Sequence, residues 1–146
     1  MFRRGENGLE VLLAHPGGPF WEGRDEGAWT IPKGGIHDGE QPLDSAIREF
    51  QEETGFAPCG PYLPLGQITQ RSGKIVHAWA FEGDCDPSAL ASMETTVEWP
   101  PRSGRPLVVP EIDRVGFFAI DEARIAVNPA QAELFDRLMR LFCDGS

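Results

Sequence analysis

The sequence predicts an α/β fold in which helices pack in layers on a central mixed β-sheet. Segments with strand and helix patterns alternate along the chain, which is typical of layered α/β domains. Hydrophobic residues make up 40% of the 146 residues, so the chain can bury a core and is not intrinsically disordered. The 17 glycines and 13 prolines follow no period. This composition indicates a loop-rich globular structure, and the length fits one domain spanning residues 1–146.

The first third of the chain predicts two strands, each followed by a turn-rich loop. The apolar run Leu9–Ala14 is typical of a buried strand. His15–Gly27 is rich in glycine and proline and predicts a loop. Trp29–Ile31 predicts a short strand, and Lys33–Glu40 predicts a second glycine-rich loop.

A helix is predicted over Pro42–Thr54. Pro42 suits the first helical turn, and Gly55 suits the position just past the end. At about 100° per residue, one face of this helix is apolar. That face comprises Leu43, Ala46, Ile47 and Phe50.

The middle of the chain predicts a hairpin followed by irregular structure. Leu65–Thr69 and Lys74–Glu82 have strand patterns on either side of a Ser-Gly turn. Pro87–Met93 predicts a short helix. Thr95–Arg105 contains Trp-Pro-Pro, so it predicts a loop or an irregular sheet edge.

The last part of the chain predicts one more strand and two helical segments. Arg114–Ile120 has a strand pattern, and Asp121–Ile125 predicts a short helical turn. Asn128 and Pro129 are expected to cap a final helix. The apolar stripe of that helix comprises Leu134, Phe135, Leu138, Met139 and Phe142.

Charge and cysteine content restrict the function classes. The chain has 13 basic and 23 acidic residues, a net charge of −10 and a pI of about 4.7, which argues against sequence-independent binding to nucleic acid. No apolar run is long enough for a membrane span, and no signal segment is apparent, so no membrane partner is expected. Three widely spaced cysteines favour a reducing, cytoplasmic location.

The predicted helix also carries an acidic face formed by Glu49, Glu52 and Glu53. Carboxylates at spacings of three and four repel one another on a helix. A divalent cation would neutralise them, and Mg²⁺ commonly bridges protein carboxylates and substrate phosphates. The pattern therefore predicts a Mg²⁺ or Mn²⁺ site. Taken alone, it also fits a solvated acidic face, since such runs are common on surface helices.

The residues around this helix form a longer pattern. It reads Gly34, five residues, Glu40, seven residues, Arg48-Glu49-Phe50, one residue, Glu52-Glu53, one residue, Gly55-Phe56. Seven fixed residue types at about one in fifteen each make a chance match rarer than about one in a million. This is the complete Nudix signature, and the chain resembles the Nudix hydrolases. Phe50 stands where the family usually has an aliphatic residue.

The flanking segments extend the resemblance over most of the chain. Trp29–Gly35 (WTIPKGG) looks like the strand and loop that precede the signature in family members. His15–Trp21 (HPGGPFW) and Glu98–Arg105 (EWPPRSGR) resemble a bacterial subgroup similar to NTP pyrophosphohydrolases. The resemblance implies a Nudix-type α/β/α sandwich with a central mixed β-sheet.

The resemblance also implies roles for residues of the signature. Glu49, Glu52 and Glu53 match the family's metal-binding carboxylates, and the backbone carbonyl at Gly34, or at the preceding Lys33, would complete the coordination. Glu40 matches a position that supports the helix or the metal site. Arg48 matches a residue that orients the carboxylates, since metal ligands need such supporting contacts. These contacts of Glu40 and Arg48 also fit ordinary ion pairing on a helix surface.

A general base is needed to accept a proton from the attacking water. In the family, this base is either a glutamate of the signature or a residue on a later loop. Glu111, which directly precedes the predicted strand Arg114–Ile120, is the preferred candidate outside the signature. Glu98 and Glu94 are the alternatives, and each of the three is equally a candidate surface carboxylate.

Five residues are candidates for substrate contact. Lys33 would meet a phosphate, although a loop lysine is as often solvated. Trp99 could stack on a base, and Arg102 or Arg105 could bind a phosphate. The alternative is that these residues only pack within the loop and anchor it. His15 precedes a Gly-Gly pair that permits close approach of a phosphate, but no helix follows it.

The expected function is Mg²⁺- or Mn²⁺-dependent hydrolysis of a nucleoside diphosphate linked to another group, so a small nucleotide-type substrate is the expected partner. An NTP or a dinucleoside polyphosphate is favoured by the WTIPKGG resemblance. Two alternatives are a non-catalytic nucleotide sensor or protein-interaction module and an acidic helix that is purely structural. Family members generally have more chain before the segment matching Arg3, and an unpaired sheet edge there would favour a homodimer.

Overall fold

The computed structural model describes residues 1–6, 8–33 and 38–143. In these ranges the strands are β1 Phe2–Gly5, β2 Gly8–Pro16, β3 Leu63–Thr69, β4 Ile75–Ala80, β5 Glu94–Glu98, β6 Pro106–Pro110 and β7 Ile112–Ala119. The helices are α1 Pro42–Thr54, α2 Ile120–Ala126 and α3 Ala132–Cys143, and single 3₁₀ turns lie at Pro87–Ala89 and Pro129–Gln131. Among the described residues, no helix has the length and apolar character needed to cross a membrane.

Strand β2 lies at the centre of a three-stranded sheet in the order β1-β2-β7. Both of its neighbours are antiparallel to it. A parallel bridge at Phe2 joins this sheet to the end of the β3–β4 hairpin, because Phe2 N–H donates to the Phe81 carbonyl at 3.0 Å and Gly83 N–H donates to the Phe2 carbonyl at 2.9 Å. The prediction of a mixed sheet is therefore confirmed. The same bridge covers the β1 edge at Phe2, where the homodimer hypothesis placed an unpaired strand.

The residues of β2 alternate between two apolar layers, as the period of two requires. Val11 and Leu13 pack with α2 and α3, in a cluster that includes Ile120, Phe135 and Leu138. On the opposite face, Leu12 and Ala14 pack in a cluster with Phe50, Phe81, Ile112 and Val115. Because both faces are buried, the strand reads as a continuous apolar run. Helix α1 covers one side of the sheet, and α2 with α3 covers the other.

Helix α1 begins and ends where the sequence predicts. Pro42 is its first residue, and Gly55 ends it in the left-handed conformation with φ of 78°. The Gly55 N–H donates to the Gln51 carbonyl at 2.8 Å. Of the predicted apolar face, Phe50 is buried at 5% exposure and packs on Phe81 with ring centroids 5.2 Å apart. The other three residues of that face are only half-buried and line a cavity of about 140 Å³.

The segment predicted as a loop or an irregular sheet edge at Thr95–Arg105 is both: residues 95–98 belong to strand β5, and residues 99–105 form the turn of the β5–β6 hairpin. The regular pairing of β5 and the following strand β6 are not predicted. Strand β5 pairs antiparallel with β6 from Glu94↔Pro110 to Glu98↔Pro106. The β-branched run in β5 favours a strand, and the prolines are tolerated because this two-stranded sheet consists of edge strands. The predicted helix at Pro87–Met93 is limited to one 3₁₀ turn.

The C-terminal prediction is confirmed with one difference at its start. The Asn128 side chain accepts a hydrogen bond from the Ala130 N–H and caps the 3₁₀ turn that leads into α3. The predicted apolar stripe faces the core. Leu134, Phe135 and Leu138 are at most 4% exposed, and Met139 and Phe142 pack against them partly buried.

Candidate active site

The three glutamates of α1, Glu49, Glu52 and Glu53, lie in its C-terminal half. Glu53 is 9% exposed and accepts a hydrogen bond from the Lys33 N–H at 2.8 Å. The side chains of Glu49 and Glu52 are 12% and 35% exposed. The cluster therefore lies where α1 meets the end of the Trp29–Lys33 segment. Glu53 is the most buried of the three glutamates, and Glu52 is the most exposed.

The pKa of Glu53 is shifted far from its ordinary value. Burial raises the pKa of Glu53 to about 8, and the negative charges of Glu49 and Glu111 act in the same direction. The hydrogen bond from the Lys33 N–H and the charge of Lys33 oppose these effects. Since carboxylates held this close repel one another, a divalent cation would stabilise their charged form. The donor set is the one that a hard cation prefers.

Arg48 connects the carboxylates of the signature. Its guanidinium donates to both carboxylate oxygens of Glu40, at 2.8 and 3.1 Å, and to Glu49 and Glu52 at 2.8 Å each. The hydrogen bonds with Glu40 are the largest cause of the raised pKa of Arg48. This geometry is compatible with the predicted orienting role of Arg48, and Glu40 contacts the same guanidinium.

Glu111 lies between β6 and β7 and is held by backbone hydrogen bonds that lead back to α1. The Met93 N–H donates to the Glu52 carbonyl at 3.1 Å, and the Glu111 N–H donates to the Met93 carbonyl at 2.8 Å. The Ala91 N–H donates to the Thr54 carbonyl at 3.0 Å. Burial, followed by the charges of Glu49 and Glu52, raises the pKa of Glu111. The fold therefore brings Glu111 close to the carboxylate cluster.

The other two base candidates lie on β5. Glu94 is exposed and pairs with Pro110, next to Glu111. Glu98 is exposed at the far end of the same strand. Four steps of about 3.4 Å separate it from Glu94, or roughly 14 Å. Position and burial both favour Glu111.

The glycine-rich loop after β2 approaches Glu111 through its backbone. The Gly17 N–H donates to the Glu111 carbonyl at 3.0 Å. A Cβ at Gly17 would lie only 2.0 Å from the Pro110 carbonyl oxygen. Glycine is required here because the two backbones are in contact, and the loop supports the β6–β7 junction.

The prediction that His15 binds substrate needs correction. His15 is 0% exposed. Its Nδ1 lies 2.9 Å from an Asp113 carboxylate oxygen, and its Nε2 is bonded to the Arg24 carbonyl. The ring also packs edge-on against Trp29, with centroids 5.2 Å apart. Both nitrogens are used within the fold, so His15 anchors the loop after β2.

The other predicted substrate contacts lie at the tip of the β5–β6 hairpin. The Trp99 N–H donates to the Arg105 carbonyl at 3.0 Å. Arg102 has a φ of 62° in the turn, and both arginines are exposed while Trp99 is half-buried. The structure brings these three together, but it does not bring them to the carboxylates, which lie near the opposite end of the hairpin.

Two lysines line the cavity beside α1, and the sequence predicts a role for only one of them, Lys33. Lys33 is half-buried, and burial followed by the charge of Lys74 lowers its pKa. Lys74 lies in the β3–β4 turn, where the Gln70 N–H donates to the Lys74 carbonyl at 2.8 Å. Lys33 and Lys74 line the same cavity. Sequence reasoning missed Lys74 because the hairpin is locally predictable, whereas the direction of its turn toward Lys33 is set by tertiary packing.

Gly34, the predicted backbone ligand, lies outside the described residues. Within the described part of the chain, no group of three His, Cys, Asp or Glu side chains is already arranged to hold a metal ion. The contacts explain this, because Arg48 holds Glu49 and Glu52 while Glu53 is bound to the Lys33 N–H. The repulsion among Glu49, Glu53 and Glu111 nonetheless fits a divalent cation.

The structure is thus an α/β/α sandwich with a carboxylate cluster at the end of α1. The NUDIX domain model matches residues 1–138, and the chain therefore belongs to the Nudix family. The sequence-based resemblance is confirmed.

Solved structures show the same fold at low sequence identity. A Caenorhabditis elegans Ap4A hydrolase in a binary complex aligns with a TM-score of 0.64 and 20% identity, over 99% of this chain and 95% of that chain. A mutT/nudix family protein from Listeria innocua aligns with a TM-score of 0.62 and 19% identity, over 99% and 90% of the two chains.

Curated relatives match over shorter segments. Nudix hydrolase 25 of Arabidopsis thaliana is 66% identical over 29 residues, which are 20% of this chain and 17% of that protein. An RNA pyrophosphohydrolase of Agrobacterium fabrum is 47% identical over 60 residues, which are 34% of each protein. The chain thus aligns with no more than about a third of the length of these two relatives.

Proposed function

We propose that this protein hydrolyses a phosphoanhydride bond in a nucleoside diphosphate linked to another moiety, using Mg²⁺ or Mn²⁺. The observation that supports this most is the convergence of Glu49, Glu52, Glu53 and Glu111 from two separate parts of the chain. A purely structural acidic helix would not need the fourth carboxylate, nor would it need Glu53 to be buried among like charges.

The metal would be held by Glu49, Glu52 and Glu53, with the Gly34 carbonyl as a further ligand. When bound, a divalent cation neutralises phosphate oxygens and lowers the pKa of bound water. Arg48 keeps Glu49 and Glu52 in place through its guanidinium, so their oxygens are oriented before substrate arrives. Glu40 fixes the other edge of that guanidinium.

Glu111 is the proposed general base. A base must lie within reach of the attacking water and have a pKa suited to accepting its proton. Burial and the neighbouring carboxylates raise the pKa of Glu111, which strengthens it as a base. The backbone bonds through Met93 hold it opposite α1.

The substrate we favour is an NTP or a dinucleoside polyphosphate. The names of the relatives, an Ap4A hydrolase and RNA pyrophosphohydrolases, support a nucleotide with several linked phosphates. Lys33 would bind a phosphate next to Glu53. Trp99, Arg102 and Arg105 would bind a distal part of the substrate, since they lie in the hairpin turn beyond Glu98, which is itself roughly 14 Å from Glu94.

The test is a hydrolysis screen with Mg²⁺, using NTPs, dNTPs, dinucleoside polyphosphates, ADP-ribose, NADH and nucleotide sugars, with products separated by chromatography. Glu53→Gln is the control, and its thermal stability is measured in parallel. Cleavage that this variant loses supports the proposal and identifies the substrate class. Equal cleavage by both proteins indicates a contaminant, and metal binding without cleavage of any compound favours a nucleotide sensor.

A further inference from the structure

The N-terminal half of α1 lies over β4 without closing the space between the two elements. Side chains alternate along a strand, so Ile75, His77 and Trp79 share the face of β4 that leads to Phe81. At that end α1 is in contact, because the Phe81 ring packs on Phe50 with ring centroids 5.2 Å apart. The exposed fraction rises from 7% at Phe81 to 52% at Ile75. The two elements therefore form a wedge-shaped groove that is closed at the two phenylalanines and open at Ile75.

The helical wall of this groove is the apolar face of α1 that the sequence predicts. Leu43, Ala46 and Ile47 are half-buried there, and they line the same cavity as Ile75 and Trp79. The cavity measures about 140 Å³. An apolar cavity of about 150 Å³ in another protein binds a benzene molecule. The groove therefore has the size and the lining for one aromatic ring.

The charged side chains at the groove all have the same sign. Among the described residues that line the cavity, Lys33 and Lys74 are lysines, and none is an Asp or a Glu. Neither ammonium group forms an ion pair with a described residue. This is unusual in a chain with 23 acidic and 13 basic residues. Lys74 is exposed and directly precedes Ile75, so an anionic group at the open end of the groove would be attracted to it.

We propose that this groove binds a small organic anion made of one apolar ring and one acidic group, such as an aromatic carboxylate. The ring lies between Ala46 and Trp79, and the acidic group lies at the open end next to Lys74. Such a ligand covers the face of α1 that the fold leaves half-buried, so it stabilises the packing of α1 on β4. Neither Glu49 nor Glu53 lines the groove, and the proposal does not depend on the proposed hydrolysis.

The probe is benzoate, which is added to the protein without metal or nucleotide while the backbone amide resonances are followed by NMR. Benzylamine has the same ring with a positive charge, toluene has it without charge, and acetate has the negative charge without the ring. Benzoate should bind with a Kd on the order of 1 mM, and it should shift the amide resonances of β4 and of the N-terminal half of α1. Each of the other three compounds should bind at least about threefold more weakly.

Two pairs of variants locate the ring and the acidic group. Ala46→Leu fills the groove and should weaken benzoate binding at least about tenfold, whereas Gln51→Leu, at an exposed position of the same helix, should stay within about twofold of wild type. Lys74→Gln should weaken binding about threefold to fivefold. Arg71→Gln removes a positive charge from the same hairpin outside the cavity, so it should leave binding unchanged. The melting temperature of each variant shows whether it is folded.

Three results would overturn the proposal. One is the absence of saturable shifts in β4 and α1, which would mean that the groove is closed in solution. Another is equal binding of benzoate by Ala46→Leu and wild type. The third is equal binding of benzoate, toluene and benzylamine, since the lysines would then attract no anion. If Ala46→Leu does not fold, Lys74→Gln decides, and benzoate binding equal to that of wild type would contradict the assignment.

Discussion

Burial and neighbouring negative charge both raise the pKa of Glu53. Its carboxyl is 9% exposed and has a pKa of about 8, although the Lys33 N–H donates to it. Without a cation, this carboxyl holds a proton at neutral pH. With a cation, the proton is displaced and the carboxylate becomes a ligand, so metal binding should release a proton from this residue.

The contribution of Glu53 to the stability of the metal-free protein should therefore fall as pH rises from about 4.5 to about 8. In this window the folded state keeps the Glu53 proton, whereas the unfolded chain, with the ordinary value of 4.5, has lost it. The folded state then binds more protons, so the free energy of unfolding decreases with pH, on the order of a few kcal/mol. Urea denaturation in EDTA at pH 5 and pH 8 measures it. The buried Met1 amine, whose pKa is lowered to about 5, acts in the opposite direction in both proteins, so the comparison with Glu53→Gln isolates the Glu53 contribution. Between pH 5 and pH 8 the stability of wild type should fall relative to that of Glu53→Gln, and an identical pH dependence of the two proteins would contradict the assignment.

A second prediction concerns the loss of the Arg48 guanidinium. Among the described residues, its guanidinium donates four hydrogen bonds to three carboxylates, so Arg48→Ala should leave Glu49 and Glu52 unoriented. Supporting contacts of this kind are worth about 10- to 100-fold in metal affinity or activity. We expect the Mg²⁺ concentration for half-maximal hydrolysis to rise by that factor. Arg124→Ala, which removes surface ion pairs with Asp121 and Asp136, is the control. Equal Mg²⁺ requirements in both variants would show that Arg48 is only a surface contact.

At the scale of elements, the junction between α1 and residues 91–93 sets the position of Glu111. Backbone bonds run from the Thr54 and Glu52 carbonyls through Ala91 and Met93 to Glu111. Gly55 makes this junction possible, because a Cβ there would lie 2.8 Å from the Ala91 Cβ. The C-terminal end of α1 therefore helps to fix the position of Glu111, the proposed base.

Gly55→Ala should therefore reduce both stability and activity, whereas Gly73→Ala should reduce stability alone. Both glycines have positive φ, 78° and 90°, so each substitution costs about 1–3 kcal/mol of backbone strain. Only Gly55 also meets a neighbour, since nothing lies within 4 Å of a Cβ at Gly73. Urea denaturation and kcat measure the two effects. If Gly73→Ala lowers kcat as much as Gly55→Ala, the junction does not position Glu111.

The elements that the sequence predicts best are those with local signals. Helix α1 follows from Pro42 and Gly55 at its ends, and β2 follows from its apolar run. The regular pairing of β5 with β6 does not follow from the sequence, because prolines at the ends and tip of this hairpin suggest a loop. The pairing depends on cross-strand contacts, which the local sequence does not show. His15 was assigned to substrate because a loop of glycines suggests access, but its burial depends on Asp113, 98 residues away in the sequence.

At the scale of the whole molecule, the candidate site draws on parts of the chain that are far apart. The signature predicts Glu49, Glu52 and Glu53 together because one helix holds them. Glu111 comes from the junction between β6 and β7, and its approach to the helix depends on how the sheets pack. From the sequence alone, Glu111 can be proposed only as one of a few later carboxylates. Substrate contacts at the hairpin tip remain predictions.

The measurement that tests the central claim most directly is the rate of hydrolysis, as a function of Mg²⁺ concentration, of the substrate found in the screen. Wild type is compared with Glu53→Gln and with Glu122→Gln, an exposed glutamate on α2. The account predicts a saturable Mg²⁺ dependence in wild type and Glu122→Gln, and a loss of at least about a thousandfold in kcat for Glu53→Gln, about 4 kcal/mol in the barrier. Hydrolysis by Glu53→Gln at the wild-type rate and with the same Mg²⁺ dependence would contradict it.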